Sequence, residues 1–272
     1  MAGELTPQLL AIFSHLVEEA CGVHYGPVER ELFETKLVAQ AADAGFESLL
    51  DYYYRLRYDD PTGTELRALV QALVVHETYF FRELPPLDQL VRGHLADTVR
   101  AKGRARVWSA ACSTGEEPYT LAILLADAGL LDRVEIIASD ISAAAIARAR
   151  SGEHGRRALR DGHPEHLAAK YLERGPRGVS VVPRIAAAVD FRVVNLVDDA
   201  AVRALGTFDA VLLRNALIYF RDARIAQVLA LIDAALAPGG VLAVGVSESL
   251  MRFGTSLRCE ERGGAFFYRS AR

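Results

Sequence analysis

The chain of 272 residues is 51% hydrophobic and carries a formal net charge of −4 at neutral pH. This length suits one large domain, or a medium domain with a small one, and so mild a charge argues against nucleic acid as a partner. The longest apolar runs, such as residues 121–126, are far too short to span a bilayer. Three widely spaced cysteines offer neither a disulfide framework nor a metal-binding pair. Because no secretory signal is visible either, we expect a cytoplasmic protein without membrane insertion.

The first part of the chain has the apolar spacing of amphipathic helices. Apolar residues recur from Leu9 to Val17, and Thr6 is a suitable N-cap before Pro7 at the first helical position. The same periodicity predicts further helices over 29–43, 46–57 and 62–82. Since consecutive prolines at 85 and 86 cannot continue a helix, the sequence predicts a helical N-terminal domain over 1–84 and a linker over 85–103.

From residue 104 to 272 the pattern changes to short apolar strands that alternate with helices. This alternation predicts an α/β domain with a mostly parallel sheet covered on both faces. The predicted strands are 105–110, 134–139, 189–194, 208–213, 240–246 and 265–269, and the predicted helices are 116–127, 142–151 and 222–236. Residues 152–188, rich in Arg, His, Gly and Pro, are predicted to be an insertion with short strands such as 178–182.

The stretch Val107–Thr120 has the features of a nucleotide-type site. An apolar strand leads into a tight turn with Gly115, and a helix begins at once with two glutamates. The next strand ends on Asp140, at about the distance of a ribose-binding acid; the alternative is that Asp140 caps the helix after Ser142. With no Lys and a single Gly the turn is a poor phosphate cradle, so it predicts a cationic nucleoside ligand without pyrophosphate.

The segment His76–Glu83 begins like a zinc-protease motif, but Phe80 stands where the second histidine ligand is required. In a helix, Thr78 and Arg82 would share one face, while Phe80 and Phe81 would face the interior. The alternative is a core-packed helix with an exposed arginine.

Further polar residues follow the ends of predicted strands. Arg214 and Asn215 come after strand 208–213, Asn195 after strand 189–194, and Tyr219 lies one helical turn beyond Asn215. Asparagine offers a donor and an acceptor together, which suits the edge of adenine, although a single Asn is more often a turn residue. His154, His163 and His166 are interpreted as residues of a surface loop and not as a metal site.

These clusters, in this order, resemble the CheR-type chemotaxis protein-glutamate methyltransferases, and the resemblance spans nearly the whole chain. It implies a class I (Rossmann-like) S-adenosylmethionine methyltransferase sheet, a small all-helical N-terminal domain and an inserted small β-subdomain. The segments that carry it are His76–Glu83, Trp108–Tyr119, Ala138–Asp140, Asn195–Leu196, Arg214–Phe220 and Gly245–Ser249.

The resemblance also implies roles for single residues. Arg82 and Tyr219 occupy positions associated with the substrate carboxylate, and His76 stands where such families often have Asn. S-adenosyl-L-methionine would be the methyl donor and S-adenosyl-L-homocysteine the product. The implied cofactor contacts are His76, Thr78, Arg82, Glu117, Asp140, Asn195, Leu196, Arg214 and Asn215.

The implied activity is methylation of glutamate side chains on a methyl-accepting chemotaxis receptor, by a monomeric enzyme. The alternatives are an O-methyltransferase for another acidic substrate and a cofactor-binding regulatory module without turnover. The family presents a basic N-terminal helix to its receptors, whereas residues 28–60 here hold eight acidic and four basic side chains. Residues 148–184 hold nine basic and four acidic ones, so this insertion is the alternative surface for an acidic partner.

Overall fold

The computed structural model describes residues 5–26 and 29–272. The chain forms two compact units. The N-terminal unit contains the chain up to Val75 together with Tyr219–Arg224, and the sheet unit contains His76–Ile218 and Ile225–Arg272. In the described part of the chain, no helix combines the length and the apolar character that crossing a membrane would require.

The described helices of the N-terminal unit pack around buried aromatic rings, including Phe13, Phe33 and Tyr52. As predicted, the hydroxyl of Thr6 caps the first helix by accepting from the Leu9 N–H. Residues 219–224 return to this unit, where the His24 N–H donates to the Tyr219 carbonyl at 2.8 Å. The helices are α1 (Pro7–Cys21), α2 (Arg30–Asp43), α3 (Leu49–Tyr58) and α4 (Thr64–Leu73).

In the described residues of the sheet unit, seven strands form one sheet, in the order β6-β2-β1-β7-β8-β10-β9. The first five are parallel, and β10 and β9 are antiparallel. The predicted α/β fold with a mostly parallel sheet is therefore confirmed. The strands are β1 (Ala105–Ala110), β2 (Val134–Asp140), β6 (Val189–Val193), β7 (Phe208–Leu213), β8 (Leu236–Val244), β9 (Arg258–Arg262) and β10 (Ala265–Arg269).

The helices of this unit cover the sheet and extend beyond the predicted ones. The segment Leu84–Lys102 is helical, with a π-helical stretch at Leu90–Leu95. Its prolines occupy the first helical turn, where a missing N–H costs nothing, so they begin a helix. The helices are α5 (Leu84–Gln89), α6 (Ala96–Lys102), α7 (Glu116–Asp127), α8 (Ala143–Ser151), α9 (Glu165–Tyr171), α10 (Pro183–Ala186), α11 (Asp199–Ala204) and α12 (Asp222–Ala235).

The helix predicted over 62–82 is wrong in its second half. Helix α4 ends at Leu73, and Phe81 and Glu83 have the positive φ angles of 63° and 47°. The backbone finds partners elsewhere: the Phe80 N–H donates to the Ala158 carbonyl at 2.8 Å and the Phe81 N–H to the Thr120 hydroxyl at 3.0 Å. Thr78 and Arg82 therefore do not share a helix face, although Phe80 and Phe81 are buried as predicted.

The residues between α8 and α10 in the chain form a second, smaller sheet. It is antiparallel in the order β3-β5-β4, from β3 (Glu153–Gly155), β4 (Leu172–Gly175) and β5 (Gly178–Val181). The prediction that His154 belongs to a surface loop is wrong, because its side chain is fully buried in β3. A single histidine in a polar sequence gave no sign of the aromatic neighbours that enclose it.

The turn between β1 and α7 depends on Gly115. Its φ is +96°, and a Cβ built there would lie 2.8 Å from the Ala149 Cβ and 3.2 Å from the Phe191 ring. Both the left-handed backbone and the closeness of α8 and β6 therefore require glycine.

We expect Gly115→Ala to lower the free energy of unfolding by about 2–4 kcal/mol, the sum of left-handed strain and overpacking. Gly129→Ala is the matched control, because Gly129 has a φ of +70° and no heavy atom within 4 Å of the added Cβ. It should cost about 1–2 kcal/mol from strain alone. Urea unfolding of the three proteins measures both values, and equal losses would contradict the steric argument.

Candidate active site

The carboxyl ends of the parallel strands carry most of the predicted site residues. Strand order reverses between β1 and β7, and ligands bind at such switch points in open α/β sheets. Glu117 follows β1 in the first turn of α7, Asp140 ends β2, and Arg214 follows β7 directly. The fold thus collects side chains that are far apart in sequence at one edge of the sheet.

Asp140 closes the turn after β1. One carboxylate oxygen accepts from the Ser113 N–H at 2.8 Å, and the other accepts from the Ser142 N–H at 2.9 Å. Helix α8 is capped by the Ser142 hydroxyl, which accepts from the Ala145 N–H, so the capping alternative for Asp140 is wrong. Each carboxylate oxygen keeps acceptor capacity beyond its one hydrogen bond, which suits the hydroxyl groups of a ribose.

Arg214 is the central cation of the site, and its side chain is 1% exposed. One terminal nitrogen donates to Glu117 at 2.9 Å, and the other donates to the Arg82 carbonyl at 2.8 Å and to the Glu83 carboxylate at 3.1 Å. The Ser109 hydroxyl donates to the second oxygen of Glu117 at 2.8 Å. Arg214 therefore joins the predicted cofactor turn, residues 111–117 between β1 and the start of α7, to the segment that carries Arg82.

Glu83 was not predicted as a site residue. Burial would raise the pKa of its carboxyl, but the Val246 N–H and the side chains of Arg214 and Asn215 hold that pKa below its usual 4.5. Since Glu83 lies directly after Arg82 in the sequence, its charge pairing fixes the backbone from which the Arg82 side chain extends.

Glu248 is a second residue that the sequence did not reveal as part of the site. Its carboxylate accepts from the N–H groups of Asn215, Gly245 and Leu217 at 2.7, 2.8 and 3.0 Å. Burial has the larger effect on the pKa of Glu248 and raises it above its usual value, although these N–H groups lower it. The carboxylate ties the loops after β7 and β8 together, and it holds Asn215 in a left-handed conformation with a φ of 57°.

The segment His76–Glu83 approaches the turn from the other side. His76 Nδ1 lies 3.5 Å from the Ser113 hydroxyl, and Arg82 donates to the Glu77 carbonyl at 3.1 Å. The Tyr79 ring faces two guanidinium groups: its centre lies 3.8 Å from the Cζ atom of Arg160 and 5.6 Å from that of Arg82. Ser113 thus links His76 to Asp140, which accepts from the Ser113 N–H. At the other end of the segment, the Arg82 carbonyl accepts from Arg214.

The remaining predicted residues are placed as follows. Asn195 accepts from the Val197 N–H at 3.3 Å in the loop after β6, and the neighbouring Leu196 is buried. Thr78 is half-buried in the irregular segment before Phe80. All the predicted cofactor contacts belong to the sheet unit, whereas Tyr219 belongs to the N-terminal unit.

Comparison with known proteins identifies the family. The model of the "CheR methyltransferase, SAM binding domain" family matches residues 76–263. The chain belongs to the CheR methyltransferase family. It is 34% identical to chemotaxis protein methyltransferase 1 of Pseudomonas aeruginosa and 32% identical to chemotaxis protein methyltransferase Cher2 of Pseudomonas putida. Each alignment covers 88% of this chain and 89% of the relative. It is also 34% identical to "Probable biofilm formation methyltransferase WspC" of Pseudomonas putida, over 87% of this chain and 55% of that protein.

The chain is therefore an S-adenosylmethionine-dependent methyltransferase with a class I methyltransferase fold, as the resemblance implied. The geometry fits this cofactor. Arg214 Nε is buried and has no hydrogen-bond partner among the described residues, so it can satisfy a carboxylate such as that of the cofactor's aminoacyl group. The acidic groups around the turn suit a ligand with a positive sulfonium and no phosphate. Among residues 5–26 and 29–272, no group of His, Cys, Asp or Glu side chains is arranged to hold a metal ion.

We expect Glu83→Gln to lower the free energy of unfolding by about 1–3 kcal/mol at pH 7, because Arg214 then loses one of its two carboxylates. The folded-state pKa of Glu83 lies below 4.5, so its contribution is present above pH 4.5 and is lost as the pH falls through the folded value. The difference between wild type and variant should therefore shrink at pH 3.5 in urea unfolding.

Glu173→Gln is the control, because Glu173 is an exposed glutamate of β4. It should change the free energy of unfolding by less than about 0.5 kcal/mol at either pH. A Glu83→Gln effect that is the same at pH 7 and pH 3.5 would show that its charge is not the cause.

Proposed function

We propose that this enzyme transfers the methyl group of S-adenosylmethionine to glutamate side chains of a methyl-accepting chemotaxis receptor. The observation that carries the proposal is that Arg82 has a fixed backbone and a guanidinium with unused hydrogen-bond donors. Its backbone carbonyl accepts a hydrogen bond from Arg214, which is bound to the cofactor turn. Its guanidinium donates one hydrogen bond to the Glu77 carbonyl, and its Nε lies 4.0 Å from a carboxylate oxygen of Glu83. A guanidinium has five N–H donors, so Arg82 retains donors for an incoming carboxylate.

The chemistry needs no general base. A glutamate carboxylate is already ionised at neutral pH, and the cofactor supplies a methyl group on a positively charged sulfur. The residues have to align the carboxylate and remove water from it. If Arg82 binds one carboxylate oxygen by charge-assisted hydrogen bonds, the other oxygen would bond to the methyl carbon as the carbon–sulfur bond breaks, and the products would be a methyl ester and S-adenosylhomocysteine.

We propose the following roles for the remaining site residues. Asp140 takes the ribose, Asn195 and Leu196 the adenine, and Glu117, Arg214 and Asn215 the aminoacyl part. His76 and Thr78 line the same cofactor from the irregular segment, and Tyr219 donates to the acceptor carboxylate. These roles follow from the family motifs, and the hydrogen bonds around Asp140 and Arg214 support them.

Charge supports the inserted subdomain as the surface that meets an acidic receptor segment. Its arginines are exposed, and several pair with acids: Arg160 with Glu77, Arg174 with Glu165 and Arg177 with Glu153. With nine basic and four acidic residues over 148–184, the region keeps a net positive charge. The predicted division into residues 1–84, 85–103 and 104–272, the monomeric state and the cytoplasmic location stay predictions.

Labelled methyl transfer to receptor fragments tests the proposal. We expect a base-labile methyl ester on the fragment, because esters of glutamate hydrolyse in base while methylated amines do not. Transfer to another acidic compound but to no receptor would favour the O-methyltransferase alternative. Cofactor binding without any transfer would favour the regulatory module.

We expect Arg82→Ala to reduce kcat/KM for the receptor by about 10²-fold, the typical cost of a lost charge-stabilising donor, while cofactor affinity changes by less than about threefold. Arg82→Lys should recover part of the rate, since it keeps the charge but loses the fork of donors. Initial rates and calorimetry with S-adenosylhomocysteine measure the two quantities.

Arg100→Ala is the matched control, an exposed arginine that pairs with Asp97 on α6. It should leave both quantities unchanged. Abolished cofactor binding in Arg82→Ala would contradict the assignment of Arg82 to the acceptor.

A further inference from the structure

His154 is a buried histidine to which the proposed chemistry gives no role. It lies in β3 of the inserted subdomain, and its side chain is fully buried. Its ring packs edge-on against Phe80, with ring centres 4.9 Å apart, and against Tyr119, with ring centres 5.8 Å apart. Phe80 belongs to the segment that carries Arg82, and Tyr119 belongs to the first turns of α7.

The polar contact of His154 is with Glu116, the first residue of α7. His154 Nδ1 lies 3.0 Å from one carboxylate oxygen, in a geometry outside that of a hydrogen bond. The other oxygen accepts from the Thr114 hydroxyl at 2.7 Å. Burial would raise the pKa of Glu116, but His154 and Thr114 hold that pKa below its usual value.

The contact between His154 and Glu116 supports the cofactor turn, because Glu116 belongs to that turn. Thr114 and Glu116 stand on either side of Gly115, and Ser113 in the same turn is held by Asp140. A carboxylate is also favoured at a helix N-terminus, where backbone N–H groups are unpaired. Because Glu116 is 4% exposed, moving it away from His154 would leave a buried carboxylate without the polar group that faces it.

The same part of the insertion also contacts residues 76–83, which carry Arg82 and form the proposed acceptor segment. Four residues after His154, the Ala158 carbonyl accepts from the Phe80 N–H at 2.8 Å. Thr120, whose hydroxyl donates to the Glu116 carbonyl at 2.7 Å, in turn accepts from the Phe81 N–H. Residues 154–158 therefore support both the turn and the segment on which Arg82 lies.

We propose that His154 is a positioning residue, which holds Glu116 and thereby keeps the turn at residues 111–115 in the conformation that binds S-adenosylmethionine. The inserted subdomain then contributes to catalysis from within the protein, in addition to any contact with a partner. The proposal rests on the proposed cofactor site, but not on the identity of the methyl acceptor.

Two substitutions separate the polar contact from the packing. His154→Phe keeps a ring between Phe80 and Tyr119 but removes the ring nitrogens, whereas His154→Gln loses the ring but keeps a donor near Glu116. We expect the Kd for S-adenosylhomocysteine, measured by calorimetry, to rise about tenfold in His154→Phe, or about 1.4 kcal/mol. It should rise less than about threefold in His154→Gln.

Kinetics with the receptor add a second readout. His154→Phe should raise the KM for S-adenosylmethionine and leave the KM for the receptor unchanged. His166→Phe, at an exposed histidine of α9, is the matched control and should change neither constant. The reverse ranking, with affinity kept in His154→Phe and lost in His154→Gln, would mean that the ring acts by packing alone and would overturn the proposal.

Glu116→Gln provides a test that does not depend on the stability of one variant. In this background a neutral amide replaces the carboxylate that His154 contacts, so His154→Phe should raise the Kd by less than about threefold. An equal rise in both backgrounds would overturn the proposal. Binding of S-adenosylhomocysteine involves no acceptor, so a failure to methylate any receptor would refute the proposed function and leave these outcomes unaffected.

Discussion

The buried guanidinium of Arg214 is the interaction on which the rest of the site depends. A cation with 1% exposure is stable only if acceptors surround it, and this one takes Glu117 from the cofactor turn, and Glu83 and the Arg82 carbonyl from the acceptor segment. Neither segment can move without leaving a buried charge unpaired. One side chain therefore sets the position of the turn relative to the segment that carries Arg82. The positive φ angles at Glu83 and Asn215 are tolerated because hydrogen bonds to Arg214 hold Glu83 and hydrogen bonds to Glu248 and Glu83 hold Asn215.

The residues after α4 show why a local pattern can mislead. Their apolar spacing predicted a helix as far as residue 82, yet the N–H groups of Phe80 and Phe81 are bound by Ala158 and Thr120, which lie 78 and 39 positions further along the chain. These partners exist only once the sheet and the insertion have formed, so no local propensity can anticipate them. The outcome is an irregular segment in which Arg82 points from a fixed turn and not from a helix face.

The sequence was most informative where the signal is local. Strands β1 and β7 and helix α7 were predicted at their observed limits, because short apolar runs bounded by turn residues leave little choice. The polar residues at the strand ends followed from the same pattern. Glu83, Glu248 and His154 did not, since a lone acid or histidine carries no mark of its partners; Glu248 binds Asn215 across 33 positions. Only the motif Gly245–Ser249 gave a hint that the loop of Glu248 matters.

The balance of charge explains how the proposed site can receive a carboxylate although several acids lie close to it. Glu116, Glu117 and Asp140 lie at the turn and Glu83 lies beside Arg82, and together they would repel an anionic acceptor. Each has polar partners within the protein: Glu83 and Glu117 bind Arg214, Glu116 accepts from the Thr114 hydroxyl beside His154, and Asp140 accepts from the N–H groups of Ser113 and Ser142. In the proposed function, the positive sulfur of the cofactor adds to the attraction of Arg82 for the acceptor carboxylate. If the proposed acceptor binds at Arg82, a loss of these internal partners would weaken its binding even where the contacts of Arg82 with the acceptor are intact.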